Sequence, residues 1–401
     1  MLLALTAAFA MSQAFRTVAA VLATPLQAEF HLSPQQLGTF AGAFHFAFGA
    51  MQLFVGIGID LHGVRRTVLM GFPLAVAGAV LSALAPSYST LVLGQVLIGV
   101  GCAPAFLACT VFIARRFDPA RFAAMSGTVL SIGGVGLLAT GTPFAWLVQT
   151  WSWRMGFWAL AGCSVAAWAL IAWKVHEPRS PLSESGMPRE SLVRAALTFV
   201  SLFKLPHTAG IVALSFVLYA SFITLRGLWL GPMLIERHGF SLVESGNVAL
   251  AVSLFSLLSP SVFGRLDPGD DKRRRWLIGW TLVSAAMFVL LALVRSAVVD
   301  IALMLAIGIL SGYMILQYAQ VRAAYPKRIV GRALALFTMS MFLGVAVMQW
   351  FTGLIASIAK SQGTDIFAPV LLTIAALLVL GAMTFAWLPR APMGKPSSEP
   401  S

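Results

Sequence analysis

Read for hydrophobic and polar positions, the chain resolves into about twelve apolar runs, at 2–28, 35–59, 67–86, 88–114, 122–147, 154–175, 207–235, 242–264, 275–295, 298–322, 330–358 and 365–389. A helix rises ~1.5 Å per residue and needs about 20 apolar residues to cross a ~30 Å hydrocarbon core. Each run is close to that length or beyond it. The links between runs are short, except for the stretch from His176 to Leu205, which carries Pro, Ser, Arg and Glu. The pattern predicts an all-α integral membrane protein with twelve transmembrane helices. They divide into an N-terminal six-helix bundle (1–175), a linker (176–206), a C-terminal six-helix bundle (207–389) and a tail (390–401). Met1 to Ala10 has no basic n-region, and the apolar run continues past Arg16, so it reads as the first membrane helix rather than a signal peptide.

Composition agrees with a lipid solvent. Of 401 residues, 59% are hydrophobic and 10% charged, against roughly 25% charged in soluble domains. The formal charge of +13 does not point to nucleic acid, because the basic residues lie in the short links. With the N-terminus inside, twenty-one Lys and Arg fall on the cytoplasmic side and four (Arg154, Arg237, Arg295, Lys360) outside. The positive-inside rule then places both termini in the cytoplasm. Trp151, Trp153 and Trp158 gather at one outer edge as interfacial anchors. Cys102, Cys109 and Cys163 lie within apolar runs and read as small packing residues.

The two halves echo one another. Arg16, Pro25, Ser33 and Gly38 in the first half parallel Arg226, Pro232, Ser241 and Gly246 in the second. Weak internal repeats of this kind mark two-half carriers. The link after the second run reads Gly56-Ile57-Gly58-Ile59-Asp60-Leu61-His62-Gly63-Val64-Arg65-Arg66. It resembles the signature loop of the major facilitator superfamily (MFS) in residues and position. The resemblance implies the MFS fold, alternating access, and a conformational role for Gly56, Asp60, Gly63, Arg65 and Arg66, with Asp60 pairing to a basic residue. Leu61 stands where the family usually has a basic residue, and Gly264-Arg265-Leu266-Asp267 is a looser second copy. Gln95 replaces an Arg linked to proton coupling ahead of Gly99-Val100-Gly101. The glycines of the fifth run do not follow the drug–proton antiporter pattern.

The candidate chemistry lies at mid-membrane. Arg16 and Arg226 each fall near the middle of a run, where a charge costs roughly 2.5–3.5 kcal/mol or more. No Asp or Glu occupies the middle of any run. Two guanidiniums with no acid partner favour an anion, which their planar forks grip with paired hydrogen bonds. An arginine in both the first and seventh helices resembles the organophosphate–phosphate antiporters. One in the first helix alone resembles the anion–cation symporters of organic acids. His45 and Gln52 share a face of the second run, and Tyr313, Gln317 and Gln320 form a stripe at i, i+4 and i+7 in the tenth. Both sets are candidate substrate contacts, and both also suit helix–helix hydrogen bonding. Tyr219, Trp229 and Asn247 are weaker candidates for cavity walls.

There is no nucleophile elbow, no phosphate-cradling loop and no Cys/His metal spacing. The expectation is a non-enzymatic, cofactor-free secondary transporter of a small anion, working as a monomer in the cytoplasmic membrane. A proton or counter-anion would drive it. The alternatives are drug or metabolite efflux and a non-transporting sensor.

Overall fold

The structure, a computed structural model, describes residues 1–117, 119–176, 201–325 and 329–389. Asp118, most of the linker, residues 326–328 and the tail lie outside the described residues, as do the side chains at 53, 60, 61, 114, 115, 119–124 and 127, Asp60 and Arg115 among them.

Among the described residues, twelve helical spans run alternately between a linker face and a far face. Span α1 is Leu2–Phe15 and Ala19–Phe30, bent by 47°. Spans α2 (34–61) and α3 (His62–Ala83) follow each other without a loop. Span α4 is Tyr88–Cys102 and Pro104–Arg116, and α5 is Pro119–Gly133, Val135–Ala139 and Thr142–Thr150. Span α6 is Trp153–Lys174. In the second half, α7 is Thr208–Thr224, a π-turn at Leu225–Trp229 and Leu230–His238. Spans α8 (Leu242–Arg265) and α9 (Asp270–Leu293) are continuous. Span α10 is Ala297–Leu310, a 3₁₀ turn at Ser311–Met314 and Ile315–Ala324. Spans α11 (Val330–Ser361) and α12 (Phe367–Trp387) complete the bundle.

The sequence echo has a structural cause. Ser33 and Ser241 cap α2 and α8, and both capping boxes are complete, closed by Gln36 and Glu244. Each box satisfies two orphan N–H groups at a helix start. Five residues on, Gly38 and Gly246 face the other half. A Cβ on Gly38 would strike the Gln349 carbonyl, and one on Gly246 would lie 2.7 Å from the Ala145 Cβ.

The linker-face turns repeat as well. Gly63 (φ 81°, ψ 168°) breaks the long helix between α2 and α3, and Gly269 (φ 82°, ψ 169°) opens α9. Only glycine holds that backbone cheaply. Arg65 donates to the Ala172 carbonyl at 3.0 Å, and Arg274 to those of Phe385, Ala386 and Leu388. The two arginines thus cap α6 and α12, the last helix of each half, where orphan carbonyls favour a cation. Arg66 is exposed, and a Cβ on Gly56 would meet nothing within 4 Å.

Asp267 and Asp270 both hold Arg273, with Asp267 Oδ2 at 2.6 Å from Nη2. The hydrogen bond from Arg273 keeps the Asp267 carboxyl below the ordinary aspartate range. A depressed pKa adds stability above the unfolded value, and that increment fades as pH falls through the folded one. Asp267→Asn is therefore expected to cost up to about 1 kcal/mol at neutral pH and nothing at strongly acid pH. Thermal melts across pH in detergent would check this; an equal deficit at every pH would contradict it.

The halves meet in the far half of the bundle, where α1 packs on α7, α2 on α11 and α5 on α8. One buried apolar cluster runs across both halves, from Leu5 and Phe48 to Phe342 and Met348. A second, around Leu214, Tyr313 and Phe337, belongs to the second half alone. Cross-half hydrogen bonds join Thr142 to Asn247 (2.6 Å), Gln149 to the Val243 N–H (3.1 Å) and Ser357 to the Gln35 N–H (2.9 Å). The far face is shut.

Two expectations need correction. Trp153 is not an interfacial anchor: it is buried and donates to Glu29 at 2.6 Å, while Trp151 and Trp158 are exposed. Cys163 is exposed on α6 and not packed inside; Cys102 and Cys109 are buried.

Candidate functional site

Both first helices break at their arginine. In α1 the break opens at Arg16, and in α7 the π-turn contains Arg226. Interrupted helices at mid-membrane are where carriers place ligand groups, and π-turns often sit at functional positions.

Arg16 is 8% exposed. Its guanidinium donates to Ser12 Oγ (3.3 Å) and Tyr219 Oη (3.4 Å), both near the outer limit of a hydrogen bond. Its central carbon lies 4.7 Å from the Phe342 ring centroid, 4.9 Å from Phe48 and 5.9 Å from Phe9. Such cation–π contacts are worth about 0.5–2 kcal/mol each. They offset part of the cost of burial without neutralising the charge. Among the described residues no carboxylate touches Arg16, and its Nε has no partner. Tyr318 of α10 lies within reach of the same charge.

Arg226 sits differently. It is fully buried, and its Nε donates to Ser253 Oγ (2.8 Å) and the Ala249 carbonyl (3.0 Å) of α8. Its Nη2 reaches across the seam to the Leu137 carbonyl of α5 at 3.4 Å. No carboxylate touches it among the described residues, and Nη1 has no partner. The two arginines share no hydrogen-bond partner. The sequence echo brings them to equivalent breaks, not onto one ligand point: Arg16 meets rings and hydroxyls, Arg226 backbone carbonyls.

His45 is fully buried beside Arg16's surroundings. Its ring stacks on Phe342 with centroids 6.3 Å apart, and its Nδ1 lies 3.1 Å from the Ala41 carbonyl. Gln52 does not join it; its amide donates to the Phe48 and Ala103 carbonyls, both at 3.4 Å, which ties α2 to the break in α4. The α10 stripe also disperses. Tyr313 donates to Thr281 Oγ1 at 3.1 Å and Gln317 to the Ile211 carbonyl at 3.3 Å, inside the second half. The 3₁₀ turn at Ser311–Met314 changes the register that a regular helix would have given. Gln320 is half-buried, and its Oε1 is unpartnered. Trp229 donates to Thr352 at 3.0 Å.

Sequence reasoning missed Ser12, Phe48, Phe342 and Gln349. Ser12 had a signal, lying one turn before Arg16. Gln349 had another, as a lone amide in the apolar α11 run. The phenyl rings had none.

Two helical bundles, packed along three helix pairs around a buried guanidinium, define a multi-pass helical membrane protein. Residues 4–317 and 230–401 match the family model for the Major Facilitator Superfamily, and the chain belongs to that superfamily. It spans about a third of the length of the first curated relatives it matches (35%, 37% and 35%). The hexuronate transporter of Bacillus subtilis is 21% identical over 241 residues, covering 59% of this chain and 56% of that one. The cyanate transport protein CynX of Escherichia coli is 25% identical over 309 residues, 75% of each chain. A solved D-xylose–proton symporter superposes with TM-score 0.76 at 15% identity, over 98% of this chain and 97% of that one. That likeness concerns the fold.

Proposed function

We propose that the chain is a secondary active transporter of a small anionic solute, with Arg16 as the group that holds the cargo. The carrying observation is a buried guanidinium surrounded by phenyl rings and two weakly placed hydroxyls, with no acid in contact among the described residues. A charge in a low dielectric without a counter-ion is poised for one. An anion arriving there gains a fork of N–H donors and a large Coulomb term. Arg226 acts as a latch: its Nε holds α8 and its Nη2 reaches α5 while the far face is shut. The positive-inside count puts the linker face in the cytoplasm, so the chain stands closed to the outside. The units 1–175 and 207–389 are the two moving bodies. Two relatives named for hexuronate and cyanate, both anions, support the reading.

The test is uptake of radiolabelled carboxylates, phosphates and inorganic oxyanions into proteoliposomes. Arg16→Gln keeps a planar amide but loses the charge, and is expected to lower anion uptake at least about tenfold. Arg16→Lys should recover little, since an ammonium presents no fork. Unchanged uptake in Arg16→Gln, or transport of neutral solutes only, would overturn the proposal.

A further inference from the structure

Beside Arg16 lies a second group of polar atoms that the anion reading does not use. His45 on α2 and Gln349 on α11 are both 0% exposed, on opposite sides of the seam between the halves. His45 Nε2, Gln349 Nε2 and Gln349 Oε1 have no hydrogen-bond partner. The Gln349 amide faces the His45 ring within hydrogen-bonding reach, though no bond of full geometry forms between them. Its Nε2 stands 3.7 Å from where a Cβ on Gly227 would be, and that same Cβ would be 3.1 Å from the Arg16 carbonyl oxygen. His45 and Arg16 also rest on one ring, Phe342. The bare Cα at Gly227 thus lets the two helix breaks approach closely.

The tautomer of His45 follows from its neighbour. The Ala41 carbonyl only accepts, so Nδ1 carries the hydrogen. In the neutral ring Nε2 is then a lone pair, which needs a donor. Gln349 Oε1 also needs a donor, and Gln349 Nε2 needs an acceptor. A bare carboxylate, nitrate or sulfate offers acceptors alone and brings no donor to the His45 lone pair. An ammonium offers donors alone and adds a second positive charge near Arg16. A hydroxyl carries one donor and two acceptor lone pairs, so it can give its hydrogen to His45 Nε2 and accept from the Gln349 amide N–H, serving two of the three atoms.

We propose that His45 and Gln349 form a hydroxyl-recognising subsite next to Arg16, so that the cargo is a hydroxylated organic anion. This rests on the anionic-cargo reading and sharpens it. The Arg16 fork holds the charged end, and the imidazole lone pair and the amide hold the hydroxyl.

The experiment measures binding to the purified full chain in lipid nanodiscs with matched pairs of probes. These are glycolate and acetate, lactate and propionate, and glycerol phosphate and propyl phosphate. The hydroxylated member of at least one pair is expected to bind about tenfold or more tightly. Gln349→Met keeps the volume and removes both amide atoms. It should bring that ratio close to one. The ligand-free thermal midpoint of Gln349→Met should hold or rise, because an unpaired buried amide is removed. If the amide serves the fold instead, the midpoint falls and the ratio persists. His45→Phe, which keeps a ring against Phe342, should also lose discrimination. Equal binding of every pair by the wild type, or a ratio that survives Gln349→Met, overturns the subsite and leaves the anion reading standing. A wild type that binds no anion overturns both.

Discussion

Arg226→Ala is expected to lower the stability of the purified protein by about 3–5 kcal/mol, while Arg226→Met loses less than about 1 kcal/mol or gains. The difference comes from what the guanidinium does. It is wholly enclosed and gives its hydrogens to two backbone carbonyls and one serine. Truncation to alanine leaves a cavity the size of the side chain and strips those acceptors of their donor. Methionine refills the stem volume and adapts to irregular space. It also removes a buried positive charge that touches no acid among the described residues, an arrangement that apolar replacement often improves. Chemical or thermal unfolding in detergent reads both variants. Equal damage from alanine and methionine would mean that the charge itself, not the packing, is what the site requires. Arg226 would then be a ligand group like Arg16. The same pair at Arg16 should behave in the opposite sense: both variants fold and neither responds to anions.

That contrast was invisible in the sequence, where the two arginines occupy matching places. The spans and the signature-loop turn were legible because each depends on residues close in sequence. An apolar run is its own evidence, and the turn at Gly63 needs a glycine because its φ is positive. The repeat was legible too, down to the serine caps. Gly264 to Asp267 looked like a poor copy of the first loop because its spacing differs, yet Gly269 adopts the same backbone as Gly63 within one or two degrees. What failed was anything that depended on a partner. Arg16 and Tyr219 are 203 positions apart, and Arg226 and Leu137 are 89 apart. The Tyr313–Gln317 stripe was read on an ideal helix, and one 3₁₀ turn sufficed to send its members to α9 and α7. Periodicity predicts a face; it does not say what the face meets.

Wedging side chains into the seam is expected to cut transport sharply while leaving both halves folded. On α2, a Cβ at Gly42 would stand 2.9 Å from the Ala346 carbonyl oxygen of α11, and one at Gly38 would strike the Gln349 carbonyl. In both cases the obstacle is backbone, which cannot rotate aside as a side chain does. Overpacking of this kind costs about 1–3 kcal/mol, and here it penalises only the state in which the far face is shut. A population held open at that face cannot deliver cargo to the other side, so uptake should fall by about tenfold to a hundredfold in Gly42→Val. Gly162 on α6 has nothing within 4 Å of its Cβ position, and Gly162→Val serves as the control with near-normal uptake. The mechanism has its own readout. Ser357 bonds the Gln35 N–H inside the same seam at 2.9 Å, so Ser357→Cys in a Cys163→Ser background reports whether α2 and α11 have parted. An impermeant maleimide should label that cysteine faster in Gly42→Val than in the parent. Normal uptake with slow labelling would show that the two helices are not pressed together during the cycle. The far-face seam would then be a feature of one resting state and not the gate.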